Sequence, residues 1–102
     1  MLISKVTNME SSRGNKIANQ FILTEEGRGA LGNFIKRETF QSYDSVIAVR
    51  TEWADETEIV LDKNYWDYSV TTGKYRNIFL GETRKETEAK IKSGKYTLDN
   101  LN

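Results

Sequence analysis

The apolar side chains change their spacing at Asp62, and that change limits the fold more than any other feature of the sequence. Before it lie short runs rich in β-branched and aromatic residues, separated by turn residues; after it apolar residues recur every three or four positions between helix-capping residues. Strands that come first and helices that come last, with no alternation between them, argue against a doubly wound parallel sheet. The pattern predicts an α+β fold in which an antiparallel sheet of about four strands is followed by two C-terminal helices that cover one face. With 102 residues, of which 37% are hydrophobic, the chain has material for one modest core, so a single domain over residues 1–102 is expected.

The four strands are expected over residues 17–24, 33–42, 46–49 and 57–62. The first concentrates Ile17, Phe21, Ile22 and Leu23, and Val46-Ile47-Ala48-Val49 has the continuous apolar character of a central strand. Tyr43-Asp44-Ser45 and Trp53-Ala54-Asp55-Glu56 supply the turns, which must rest on Asp, Asn, Ser and Gly because the chain has no proline. Residues 1–14 are polar after a short apolar start and are expected to be loosely ordered. Beyond Asp62, Ser69 is placed to cap a helix that starts at Val70 and that Gly81 ends, with Thr72, Tyr75, Ile78 and Phe79 along one face. Thr83-Arg84-Lys85-Glu86 has the capping-box spacing, which opens a second, surface helix that stops at Gly94. Tyr96, Leu98 and Leu101 are left to dock the tail.

Absences exclude much chemistry. The sequence contains no cysteine and no histidine, which rules out disulfides, thiolate metal sites, iron–sulfur clusters and every triad built on imidazole. No signal-peptide core opens the chain and no run reaches the ~18 apolar residues of a membrane span, so a cytoplasmic location is expected. Gly27-Arg28-Gly29-Ala30-Leu31-Gly32 matches G-x-G-x-x-G after a strand, with Glu52 twenty residues on. Glu25 and Glu26 would repel a pyrophosphate there, and no further βαβ unit follows, so the glycines serve a connection and no cofactor is expected. Thr71-Thr72-Gly73-Lys74 fails as a phosphate loop because Tyr68 and Tyr75 stand where Gly and Ser or Thr are required. Glu56 and Glu58 lack the spacing of a metal site, and none is expected.

Two surface features remain. Fifteen basic residues balance fifteen acidic ones, but unevenly: Glu52, Asp55, Glu56, Glu58 and Asp62 form an acidic stretch without a base, and eight bases face four acids over residues 63–95. An acidic hairpin imitates phosphates and suits the basic channel of another protein. The segment 63–79 interleaves Tyr65, Trp66, Tyr68, Tyr75 and Phe79 with Lys63, Lys74 and Arg76, a composition that stacks bases and holds phosphates or, alternatively, fills a core.

The segments Asn19-Gln20-Phe21-Ile22-Leu23, Phe40-Gln41-Ser42-Tyr43-Asp44-Ser45-Val46-Ile47-Ala48 and Trp66-Asp67-Tyr68-Ser69-Val70-Thr71-Thr72-Gly73-Lys74-Tyr75, with Phe79-Leu80 after them, resemble a family of small uncharacterised proteins. These are carried by bacteriophages and mobile elements of Gram-positive bacteria. The resemblance implies a phage or prophage source and no catalytic residue. It also implies a role in binding and blocking a host factor, CRISPR effectors and other nucleases among them. The leading expectation is therefore a non-enzymatic accessory protein in the bacterial host cytoplasm that binds a host protein through Glu52, Asp55, Glu56 and Glu58. The alternative is a single-stranded nucleic-acid binder that uses Tyr65, Trp66, Lys74 and Arg76.

Overall fold

A computed structural model describes residues 3–27 and 35–102. Five strands, β1 (Ile3–Glu10), β2 (Lys16–Glu26), β3 (Lys36–Ser42), β4 (Ser45–Glu52) and β5 (Thr57–Asp62), form an antiparallel meander. Helices α1 (Val70–Leu80) and α2 (Arg84–Lys92) follow, and β6 (Thr97–Asp99) returns to pair parallel with β5. The α+β order of sheet then helices is as the change of spacing predicts, but the sheet has six strands in place of four. Both additions are edges. Residues 3–10, expected to be loosely ordered, pair with β2 from Ile3 opposite Glu26 to Glu10 opposite Lys16. The Gly29 and Gly32 positions of the glycine pattern lie outside the described residues.

Local chemistry explains the turns. Ser11 Oγ accepts the backbone N–H groups of Arg13 and Asn15, and Gly14, at φ 81°, closes the β1–β2 connection in the left-handed region. Tyr43 and Asp44 make the two-residue turn from β3 to β4, and the Tyr43 N–H donates to Asn19 O at 2.7 Å. A bulge in β4 lets Ile47 and Ala48 both turn inward opposite Phe40.

Strand alternation divides the sheet into two faces. On one, Phe40, Ala48 and Leu61 stand side by side and, with Ile47, Met9, Phe79 and Tyr96, form the buried core. Helix α1 docks there through Phe79, whose ring stacks on Phe40 at 5.7 Å, and through Thr72, hydrogen-bonded to Ser42 at 3.0 Å. Arg50 adds a third tie, lying over the Phe79 ring, donating to Phe79 O at 2.9 Å and pairing with Glu38. Ile91 of α2 packs against the same core. On the other face Val6, Leu23, Thr39, Val49 and Val60 stand in register across five strands.

Of the expected face of α1, Thr72 and Phe79 are buried and Tyr75 packs against the core, while Ile78 stays outside it. Val70 is 92% exposed and Ile78 55%, whereas Thr72, Gly73, Arg76 and Phe79 are buried. Polar anchors set the rotation: Thr72 to Ser42 and Arg76 to the Trp66–Asp67 segment outweigh the burial of two aliphatic side chains. No helix among the described residues is long and apolar enough to cross a membrane.

Candidate interaction site

The β4–β5 hairpin carries all four acidic residues of the leading expectation. Its turn is closed by the Trp53 N–H, which donates to Glu56 O at 2.8 Å, and its first strand pair sets Glu52 opposite Thr57 and Thr51 opposite Glu58. Glu52, Asp55, Glu56 and Glu58 are all exposed, and none forms an ion pair among the described residues. Lys36, the cross-strand neighbour of Glu52, reaches Glu38 instead, at 4.0 Å. Four hydrated carboxylates therefore project from one hairpin whose backbone is fixed by the sheet. Asp62, the fifth acid of the stretch, is fully buried. Its burial opposes ionisation, but the backbone N–H groups of Leu101, Asn64 and Tyr65 and the Asn102 side chain outweigh that and hold its carboxyl below the usual range. Asp62 is a structural anchor for the tail rather than part of the acidic surface.

The residues of the alternative separate. Tyr65 is 37% exposed and packs edge-on against Tyr68, at 5.4 Å between ring centres. Lys74 is exposed, with its ammonium over the Tyr75 ring. Trp66 is half-buried, and the guanidinium carbons of Arg76 and Arg84 lie 5.2 and 5.6 Å from its ring centre. Arg76 corrects the expectation: it is 1% exposed, and its Nη1 donates to Trp66 O at 2.6 Å and Asp67 Oδ1 at 3.0 Å, while Nη2 donates to Asn77 Oδ1. A guanidinium so enclosed does not meet a phosphate. Nothing in the residue type distinguishes it from an exposed arginine; the acceptors that the Trp66–Asp67 segment and Asn77 turn toward it show why it is drawn in.

Asp67 joins these charges, accepting from Arg76 on one oxygen and from Arg84 on the other, at 2.6 Å from Nη2. Burial pushes its carboxyl up, but the two arginines prevail and hold it below its ordinary value. The cavity beside it, about 700 Å³, is bordered by Tyr68, Lys74, Arg76 and Arg84. Glu82 forms the corresponding knot at the other end of α1, accepting from Lys90 at 2.6 Å, Thr87 at 2.5 Å and Tyr96 at 2.8 Å. Among the described residues no three acidic side chains converge as a metal site would require.

A family described as "Family of unknown function (DUF8033)" matches residues 4–96. No curated protein and no solved structure matches the chain.

Proposed function

The chain belongs to that family of unknown function, and we propose that the protein is a non-enzymatic binding protein whose acidic β4–β5 hairpin occupies a basic groove of a host protein. The groove is one that otherwise takes nucleic acid, as in a defence nuclease or another nucleic-acid-processing factor, which is the class that the resemblance to small phage proteins implies. The observation that carries the proposal is the exposure of Glu52, Asp55, Glu56 and Glu58 together on one rigid hairpin, free of ion pairs among the described residues. Such charges steer association and set partner choice, and only a cationic surface offsets the cost of stripping their water.

The test is capture of partners from a Gram-positive lysate by the full chain and by a variant with all four acids replaced by lysine. The expected result is a nucleic-acid-binding protein retained by the wild type, displaced by added oligonucleotide and by salt, and bound at least ~10-fold more weakly by the variant. A variant that melts like the wild type and captures the same partner equally well would remove the hairpin from the mechanism. The single-stranded nucleic-acid alternative rests on less, because Tyr65 and Lys74 remain at the surface but Arg76 does not. Its test is direct: oligonucleotide binding at low salt that weakens steeply as salt is added.

A further inference from the structure

The face of the sheet opposite the helices has an organisation that a merely solvated surface does not need. The row Val6, Leu23, Thr39, Val49 and Val60 crosses five strands without a charge, and the adjoining row of Phe21, Gln41 and Val46 is uncharged as well. Val6 is 64% exposed, and between β1 and β4 the face holds a concavity of about 360 Å³ lined by Val6, Phe21, Leu23, Thr39, Gln41 and Val46. Charge returns only in the next row, where Glu25, Arg37 and Glu58 alternate in sign along the register Ser4, Glu25, Arg37, Thr51, Glu58.

We propose that this face is the interface of a symmetric dimer, in which two copies pack sheet to sheet about a twofold axis that runs along the strands between β2 and β3. Glu25 and Arg37 are cross-strand neighbours within each copy, Arg37 Nε also donating to Thr51, and that axis lays this pair over its own inverse in the partner, so that four charges of alternating sign meet reciprocally as a twofold interface requires. The same operation sets Leu23 over the partner's Thr39 and Val6 over the partner's Val49, and the concavity straddles the axis. Two sheets packed this way stand about 10 Å apart with uncharged inner rows, and the charged row lies at the margin. Fifteen positive and fifteen negative side chains leave no long-range repulsion between copies. Four strands spaced about 4.8 Å, each some eight residues long, give a footprint of roughly 19 by 26 Å, hence about 1,000 Å² for the pair. That area reaches the threshold of a specific contact.

Light scattering or sedimentation of the full chain between ~1 and ~200 µM decides the matter. The expected result is a mass that rises from 11.8 kDa toward twice that value with concentration. Leu23→Lys, checked by its melt, is expected to remain monomeric. Glu25→Arg and Arg37→Glu are each expected to weaken association at least ~10-fold, and the two together to restore it. That recovery keeps the test open even if Leu23→Lys unfolds. A wild type that stays at 11.8 kDa throughout overturns the proposal, as does a dimer indifferent to all three substitutions. A double reversal that fails to recover overturns the axis. The four-lysine hairpin variant is expected to dimerise, since Glu52 stands on the helix side of β4 with Arg50 and the other three residues lie in β5 or its turn, so failure of the acidic-hairpin proposal and failure of this one are distinguishable.

Discussion

Arg76 is the residue on which the helical half of the molecule turns. With 1% of its surface exposed and hydrogen bonds to Trp66 O, Asp67 and Asn77, it is a charge brought indoors and met by partners. Removing one member of such a pair costs more than the pair contributes, because the other is left under-satisfied. Arg76→Ala is expected to lower stability by ~3 kcal/mol in urea denaturation, with Asp67 then held by Arg84 alone. Asp62, Asp67 and Glu82 make the acid response predictable. Each has its folded value lowered, by hydrogen bonds that together outweigh the opposing effect of burial. The unfolded chain therefore binds more protons than the folded one near and below ~4.5, and stability falls as pH drops through that window. The stabilisation is complete above the unfolded values. No histidine titrates at higher pH, so the melting temperature is expected to be flat from about pH 5 to 8 and to drop steeply below it. Asp62→Asn should flatten the acid limb; an unchanged limb would show that Asp62 is not among its causes.

Among the elements, those whose ends are set by local chemistry were legible from the sequence. Ser69 caps α1 by accepting the Thr72 N–H, Gly81 ends it at φ 70°, and Thr83 with Glu86 forms the capping box of α2. β5 runs over Thr57–Asp62 as the alternation of its side chains predicts. Elements held by distant partners were not legible. β1 is polar except for a few residues and is a strand because β2 offers it an edge. β6 has three residues and exists because β5 stands open beside it. Of the site residues, the exposure of the acidic hairpin was legible, whereas Arg76 shares the buried side of Thr72 and Phe79, a place that helical spacing gives it but that its charge argues against. The sheet face opposite the helices had a signal that passed unused: Phe21-Ile22-Leu23 makes both sides of β2 apolar. The glycine in α1 yields a prediction at this scale. A Cβ on Gly73 would lie 3.5 Å from Arg76 Nη2, an ordinary contact, so Gly73→Ala is expected to stabilise by up to ~1 kcal/mol through helix propensity alone. A loss of stability in thermal melts would mean that Arg76 needs the whole of that space.

At the scale of the molecule, the last residues bind two regions far apart in sequence. The Leu101 N–H donates to Asp62 Oδ1, and Asn102 accepts the Val46 N–H and donates to Val46 O. Deleting residues 97–102 removes β6 and these three bonds together and frees the buried Asp62 carboxylate of its longest-range partner. The shortened chain is expected to lose at least ~2 kcal/mol, with an earlier urea midpoint; an unshifted midpoint would make the tail an ornament. The parallel pairing of β5 with β6 also orders events in time. The meander from β1 to β5 pairs strands that are neighbours in sequence, whereas β6 reaches β5 only after α1 and α2 have been laid down between them. On the ribosome, the ribbon must then emerge with its core face bare and its fifth strand unflanked, and for that interval a newborn chain is most open to chaperones, to proteases and to other copies of itself.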